Sequence, residues 1–171
     1  DQLATSGNAK AIDFPQGLVG RAGTPVRQED RYNFSFSGVK TSLLQQVRKR
    51  FGPDAAATEA QVPELLDVIA SFQNSIVSVL VRKTIAAATE FDAATVVLCG
   101  GVACNSRLRR EMQAATDDSG VKLIIAPPKY CVDNAAMIAG LGCYQFDAGL
   151  TSPLDIDAHP RARPFSELPF G

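Results

Sequence analysis

Apolar and polar positions recur along this chain at two periods, and the places where the period changes mark the elements. Leu65, Ile69, Phe72, Ile76 and Leu80 follow one another at spacings of three and four, after a proline (Pro63) suited to a first helical turn. They predict a long amphipathic helix over 63–91, its apolar stripe packed on a sheet. Val39, Leu43, Val47 and Phe51 predict a shorter helix over 39–51. Just before it, Phe34 and Phe36 alternate with Ser35 and Ser37, the period of a strand, which Gly38 ends. Short apolar runs at 95–99 and 121–126 predict two buried strands, the second stopped by Pro127-Pro128. Between them, Asn105 to about Ala115 reads as a helix and Thr116–Gly120 as a turn. A last helix is expected from Asp133 to about Ala148, where Ala135, Ala136, Ala139, Gly140 and Gly142 permit close packing. Residues 1–31 read as an irregular lead-in with one short helix, 53–61 as a loop, and 151–171 as an irregular Pro-rich tail.

Strands alternating with helices imply an α/β fold with a parallel sheet. Ligands of such sheets bind beyond the carboxyl ends of the strands. Gly38, Gly100-Gly101 and the loop 129–134 each follow a predicted strand and so fall on one rim. The segment TVVLCGGVACN at 95–105 is the most specific of these: an apolar strand, two glycines, then a helix start. Such a turn leaves backbone N–H groups free near a helix N-terminus, and glycines lack the Cβ atoms that keep a phosphate at a distance. It reads either as a phosphate or nucleotide seat or as a tight strand-to-helix turn; no complete phosphate-loop pattern is present.

Composition narrows the field. The chain has 171 residues, 46% apolar and 20% charged, with a net charge of −1. That is an ordinary globular composition, without the basic excess of a dedicated nucleic-acid-binding domain. The basic clusters Arg48-Lys49-Arg50 and Arg107, Arg109, Arg110 read as solvated helix faces. No uninterrupted run of 18 apolar residues occurs, so no membrane span is expected. The four cysteines (Cys99, Cys104, Cys131, Cys143) form no CxxC pair and read as reduced, buried small hydrophobes of a cytoplasmic protein. His159, the single histidine, sits in the tail, which argues against Ser–His–Asp or Cys–His hydrolysis.

Each candidate side chain has two readings. Asn105 suits a ribose or phosphate oxygen, and equally a helix N-cap. Asp133 suits a metal or a base facing a phosphate, and equally a carboxylate placed on a helix dipole. Lys40, after Gly38, is either a point charge for a phosphate or an exposed helix residue. No catalytic residue is assigned.

Three motifs in order, FSFSGVKT (34–41), CGGVACNSRLR (99–109) and APPKYCVDNAAMIAGLG (126–142), closely resemble the C-terminal half of the tRNA threonylcarbamoyl-adenosine transferase family (TsaD, formerly called the O-sialoglycoprotein endopeptidase or glycoprotease family). The lead-in AKAIDFP and the tail SPLDIDAHPRARP are similar too, so the resemblance covers nearly the whole chain. It implies an actin-like ATPase fold of two ribonuclease-H-like lobes, of which residues 1–150 would be the C-terminal lobe and 151–171 its tail. It implies transfer of threonylcarbamoyl from its adenylate to the N6 amine of adenosine 37 in tRNA. On that resemblance Gly100 and Gly101 fall on the phosphate-facing turn, Asn105 on a nucleotide- or substrate-contacting position, Lys40 beside them, and Asp133 on a ligand of a divalent metal, iron or zinc. The family's HxxxH metal motif is absent from this sequence. The resemblance therefore implies half a cleft, one metal ligand, no metal held by this chain alone, and no activity in isolation. The implied partners are tRNA, threonylcarbamoyl-AMP, a paralogue and a small ATPase, with no membrane, and self-association through apolar surface is expected. Two alternatives stand beside it: a generic actin-like ATP-binding lobe, and a non-catalytic scaffold that pairs with partner proteins. Without HExxH or a histidine pair, proteolysis is unsupported.

Overall fold

The computed structural model describes residues 1–18, 26–54, 57–155 and 157, so His159 and most of the tail lie outside the described residues. The chain divides into two compact units, Asp1–Val132 and Asp133–Gly171. The first is a mixed α/β unit built around one long helix.

That helix, α2, spans Val62–Glu90 with Pro63 in its first turn. It follows α1, which runs Ser37–Phe51. On one side α2 packs against α1 and the lead-in, burying Phe14, Val39, Phe51 and Val68. Phe14 meets Phe72 edge-on at 5.8 Å, a favourable geometry for two rings. Gly7 lies so close to α2 that a Cβ there would come within 2.1 Å of the Leu66 carbonyl oxygen. The buried Ser71 hydroxyl accepts from the Ile12 N–H and donates to the Asn8 carbonyl, each at 3.1 Å. A buried hydroxyl with both capacities used costs little and pins the lead-in in register.

On its other side α2 meets a βαβ unit. Strand β1, Thr95–Leu98, leads into α3, Ser106–Ser119, and α3 into β2, Lys122–Ile125. The strands pair in parallel, Thr95 opposite Lys122 and Leu98 opposite Ile125. Val77, Leu108 and Met112 form the core here, with Val96, Leu98 and Leu123 packed on it. The other face of the sheet keeps Val97 and Ile124 exposed. The second unit carries α4, Ala135–Asp147, whose N-cap Asn134 accepts from the Met137 N–H at 3.0 Å.

Several sequence expectations change. Residues 33–36 form no strand, and Phe36, the N-cap of α1, is already in the right-handed helical region at φ −109° and ψ −1°; the Phe34 and Phe36 rings stack at 6.0 Å. Alternation selects extended backbone, but a ladder also needs a partner edge. Gly38 does not end an element; it lies in the first turn of α1. Thr116–Ser119 are helical, not a turn. The Thr116 hydroxyl returns to the Met112 and Gln113 carbonyls, each at 2.9 Å, and the left-handed turn is confined to Gly120, φ 70°. Cys99, Cys104 and Cys143 are exposed and only Cys131 is buried, because three of the four fall on turns or on an exposed helix. The second arginine cluster is not a plain solvated face: only Arg110 is exposed, while Arg107 and Arg109 are engaged. Finally, α2 is long and apolar enough by length and composition to cross a membrane, although no single apolar run reveals it, and in the fold it is the central packing helix.

Candidate functional site

The Gly100-Gly101 turn leaves the carboxyl end of β1, and the loop 126–131 leaves the carboxyl end of β2. Both therefore lie at the edge of a parallel pair where ligands of such sheets bind. Gly100 adopts φ 84° and ψ 170°, a conformation open in practice only to glycine. Gly101 then starts a short 3-10 helix, Gly101–Cys104. Its φ is not in the left-handed region, and the nearest atom to an added Cβ is the Cys131 carbonyl oxygen at 4.0 Å. Neither backbone conformation nor crowding asks for glycine at 101. As first residues of a helical turn, Gly101 and Val102 leave their N–H groups without acceptors among the described residues.

Asn105 closes the turn and caps α3. Its Oδ1 accepts from the Leu108 N–H at 2.9 Å, and its Nδ2 donates to Gln73 Oε1 on α2 at 2.9 Å. One lone pair and one amide hydrogen remain, so capping and ligand contact are compatible. Asp1 joins the same corner, its carboxylate accepting from the Ser106 N–H and hydroxyl, each at 2.9 Å. A carboxylate on these donors complements the positive end of the α3 dipole.

Beside Asn105 lies a cavity of about 320 Å³. Ile69, Phe72, Ile76 and Leu80 of α2 form its wall, with Asp1, Gln73 and Asn105 as the polar groups. Four of the five stripe residues read from the sequence are thus half-buried and line this cavity, Leu65 packs on the core shared with α1, and the fully enclosed α2 residues are others, Val68 and Ala70 among them. A smaller, polar recess of about 300 Å³ shares Asp1 and Gln73 and adds Ser106, Arg107 and Arg110.

Arg109 ties the two rim loops together. Its guanidinium donates to the Ala103 carbonyl and, at 3.0 Å, to the Ala126 carbonyl. It also approaches Cys131 Sγ at 3.7 Å. Sequence reasoning missed Asp1, Gln73 and Arg109. The three have no shared spacing, and only the fold brings them to one corner.

Of the residues singled out from the sequence, Gly100, Gly101 and Asn105 form one continuous corner. Lys40 is exposed on α1, whose core is the other cluster. Asp133 is exposed, one residue ahead of the α4 N-cap, so the capping role falls to Asn134. Among the described residues no three His, Cys, Asp or Glu side chains group to hold a metal ion, so this donor set does not by itself fit a resident divalent metal.

A family model described as tRNA N6-adenosine threonylcarbamoyltransferase matches residues 1–140. A curated protein of that name from Prosthecochloris aestuarii is 43% identical over 162 residues, covering 95% of this chain and 45% of its own length. Proteins of the same name from a Geobacter species and from Symbiobacterium thermophilum are 43% and 44% identical, each covering 94% of this chain and 42% of its own length. The chain thus spans less than half the length of these relatives.

Proposed function

The chain belongs to the tRNA N6-adenosine threonylcarbamoyltransferase family, and from that premise we propose that it contributes the adenylate-binding part of such an enzyme. In this reading the chain is the C-terminal part of an actin-like, two-lobed fold. It acts in the cytoplasm with tRNA, threonylcarbamoyl-AMP, a paralogue and a small ATPase. The observation that carries it is Gly101, a glycine that neither its backbone nor its neighbours require, beside free N–H groups at the carboxyl end of a parallel strand.

The free amides of Gly101 and Val102 hold the adenylate phosphate, while the N-terminus of α3 beside them is already complemented by the Asp1 carboxylate. As the N6 amine of adenosine bonds to the carbamoyl carbon, the bond from that carbon to the phosphate oxygen breaks and the amine gives up one proton to solvent. AMP leaves with the electron pair, its phosphate charge stabilised by donors already in place. The nucleoside lies in the neighbouring cavity, its flat base against Phe72 and Ile76 and its ribose toward Asp1 and Asn105. Asp133 supplies one ligand to the divalent metal, iron or zinc; the other ligands come from outside this chain, and the chain alone holds no metal. The competing reading as a generic ATP-binding lobe shares this corner but involves no tRNA.

Titration of the chain with AMP tests the proposal, using Asn105→Asp as the discriminating variant. A carboxylate keeps the cap on Leu108 but loses the amide donor and repels a phosphate. The expected result is unfolding within about 1 kcal/mol of wild type, the loss of the bond to Gln73, and AMP affinity at least tenfold weaker, about 1.4 kcal/mol. Threonylcarbamoyl transfer by the chain alone is expected to stay at background. Absence of AMP binding, or equal binding by the variant, would remove the nucleotide site.

A further inference from the structure

Helix α1 carries Lys40, Arg48, Lys49 and Arg50 and no Asp or Glu in its 15 residues, in a chain whose net charge is −1. Two arginines outside α1, and Arg50 within it, are paired with acids. Arg27 pairs with Glu29 at 3.5 Å, Arg31 pairs with Glu90, and Arg50 pairs with Glu64 at 2.8 Å. Lys40, Arg48 and Lys49 are exposed and have no acidic partner among the described residues. They lie on two adjacent rows at helical spacing, Lys40–Leu44–Arg48 and Thr41–Gln45–Lys49, and all six side chains are exposed. The opposite face of α1 is the one that packs on α2, through Val39, Leu43 and Val47.

Helix stability explains only part of this pattern. Cations at the C-terminal end complement the dipole, but Lys40 in the first turns opposes it, and that turn holds no acidic residue. These three cations on one exposed helix face, with the Gln45 amide beside them and Leu44 between Lys40 and Arg48, present point charges at the spacing of a helix surface. Such charges suit a nucleic-acid backbone, whose phosphates take a large share of protein contacts from Lys, Arg and Gln. We propose that the exposed face of α1 is a contact surface for the phosphate backbone of RNA. The family reading supplies the identity of the polyanion, and the charge pattern supplies the place. The face lies on a different helix from the adenylate corner, so it would hold the RNA body and leave the reacting base to be presented separately.

Binding of unmodified tRNA to the intact chain, followed by fluorescence anisotropy across a salt series, tests this. The Arg48→Gln/Lys49→Gln pair should flatten the slope of log K against log salt by about 2, and adding Lys40→Gln by about 1 more. A control pair, Lys10→Gln/Lys122→Gln, alters exposed lysines outside α1 and should leave the slope unchanged. No tRNA binding by the wild type, or equal slopes for wild type and α1 variants, overturns the proposal. So does polyglutamate competing as well as tRNA, which would assign the face to an acidic protein. AMP titration of the Arg48→Gln/Lys49→Gln protein separates the two readings. AMP binding with α1-independent RNA binding defeats only this inference; α1-dependent RNA binding without AMP binding defeats only the nucleotide site.

Discussion

Two adjacent glycines in the same turn obey different constraints. Gly100 is held at a φ of 84° that side chains avoid, so Gly100→Ala should destabilise the fold by about 1–3 kcal/mol in denaturant unfolding. Gly101 has room for a methyl group and an ordinary backbone, so Gly101→Ala should unfold within about 0.5 kcal/mol of wild type. AMP affinity should nevertheless fall at least about tenfold in Gly101→Ala, because the methyl group stands where the phosphate approaches. Loss of stability without loss of affinity in Gly101→Ala would make the turn purely structural. Both glycines were legible in the sequence as a turn. Which of them serves the backbone and which leaves space was not, since that depends on φ and on the distance to Cys131.

Elements meet at the rim through one side chain. Arg109 starts on α3 and reaches the helical turn after β1 and the loop after β2. Its fork satisfies two carbonyls at fixed separation, a geometry that a lysine ammonium cannot reproduce. Arg109→Lys should keep the far-ultraviolet spectrum and lower AMP affinity several-fold, with part of the cost seen as earlier unfolding. A variant that loses stability but binds AMP normally would leave Arg109 a structural staple only. Helical periodicity located α1, α2 and the first turns of α3, because 3.6-residue spacing is a local property. Period-two alternation misjudged Phe34–Phe36, where a strand needs an edge from elsewhere, and turn composition misjudged Thr116–Ser119, where side chains bond back to the helix they were expected to end.

Across the whole first unit, a buried lysine links α2 to the approach of α1. Lys83 is nearly enclosed, and its ammonium donates to the carbonyls of Asp30, at 3.2 Å, and Asn33. Lys83→Met should destabilise by about 1–3 kcal/mol by leaving those carbonyls unpaired. Burial holds its pKa below the ordinary 10.5, against the raising influence of Asp30. The folded chain therefore gives up this proton before the unfolded one, and between the folded value and 10.5 the unfolded chain binds more protons. Stability contributed by Lys83 rises with pH through that window, so the cost of Lys83→Met should grow toward pH 10.5. A cost that shrinks there would contradict the sign. Burial pushes the Tyr32 hydroxyl the other way, above 10.0, but it is common to both proteins and cancels in the difference. The sequence by itself determined the α/β class, the strand–glycine–helix turn and the family, because local periodicity, turn chemistry and motif order are written along the chain. Only the tertiary structure decided that most of the apolar stripe of α2 lines a cavity, that Asp1, Gln73 and Arg109 join Asn105 and the glycines, and that Lys40 is an exposed residue of α1. Those outcomes depend on which elements pack together, and residues more than thirty positions apart carry no local signal of meeting.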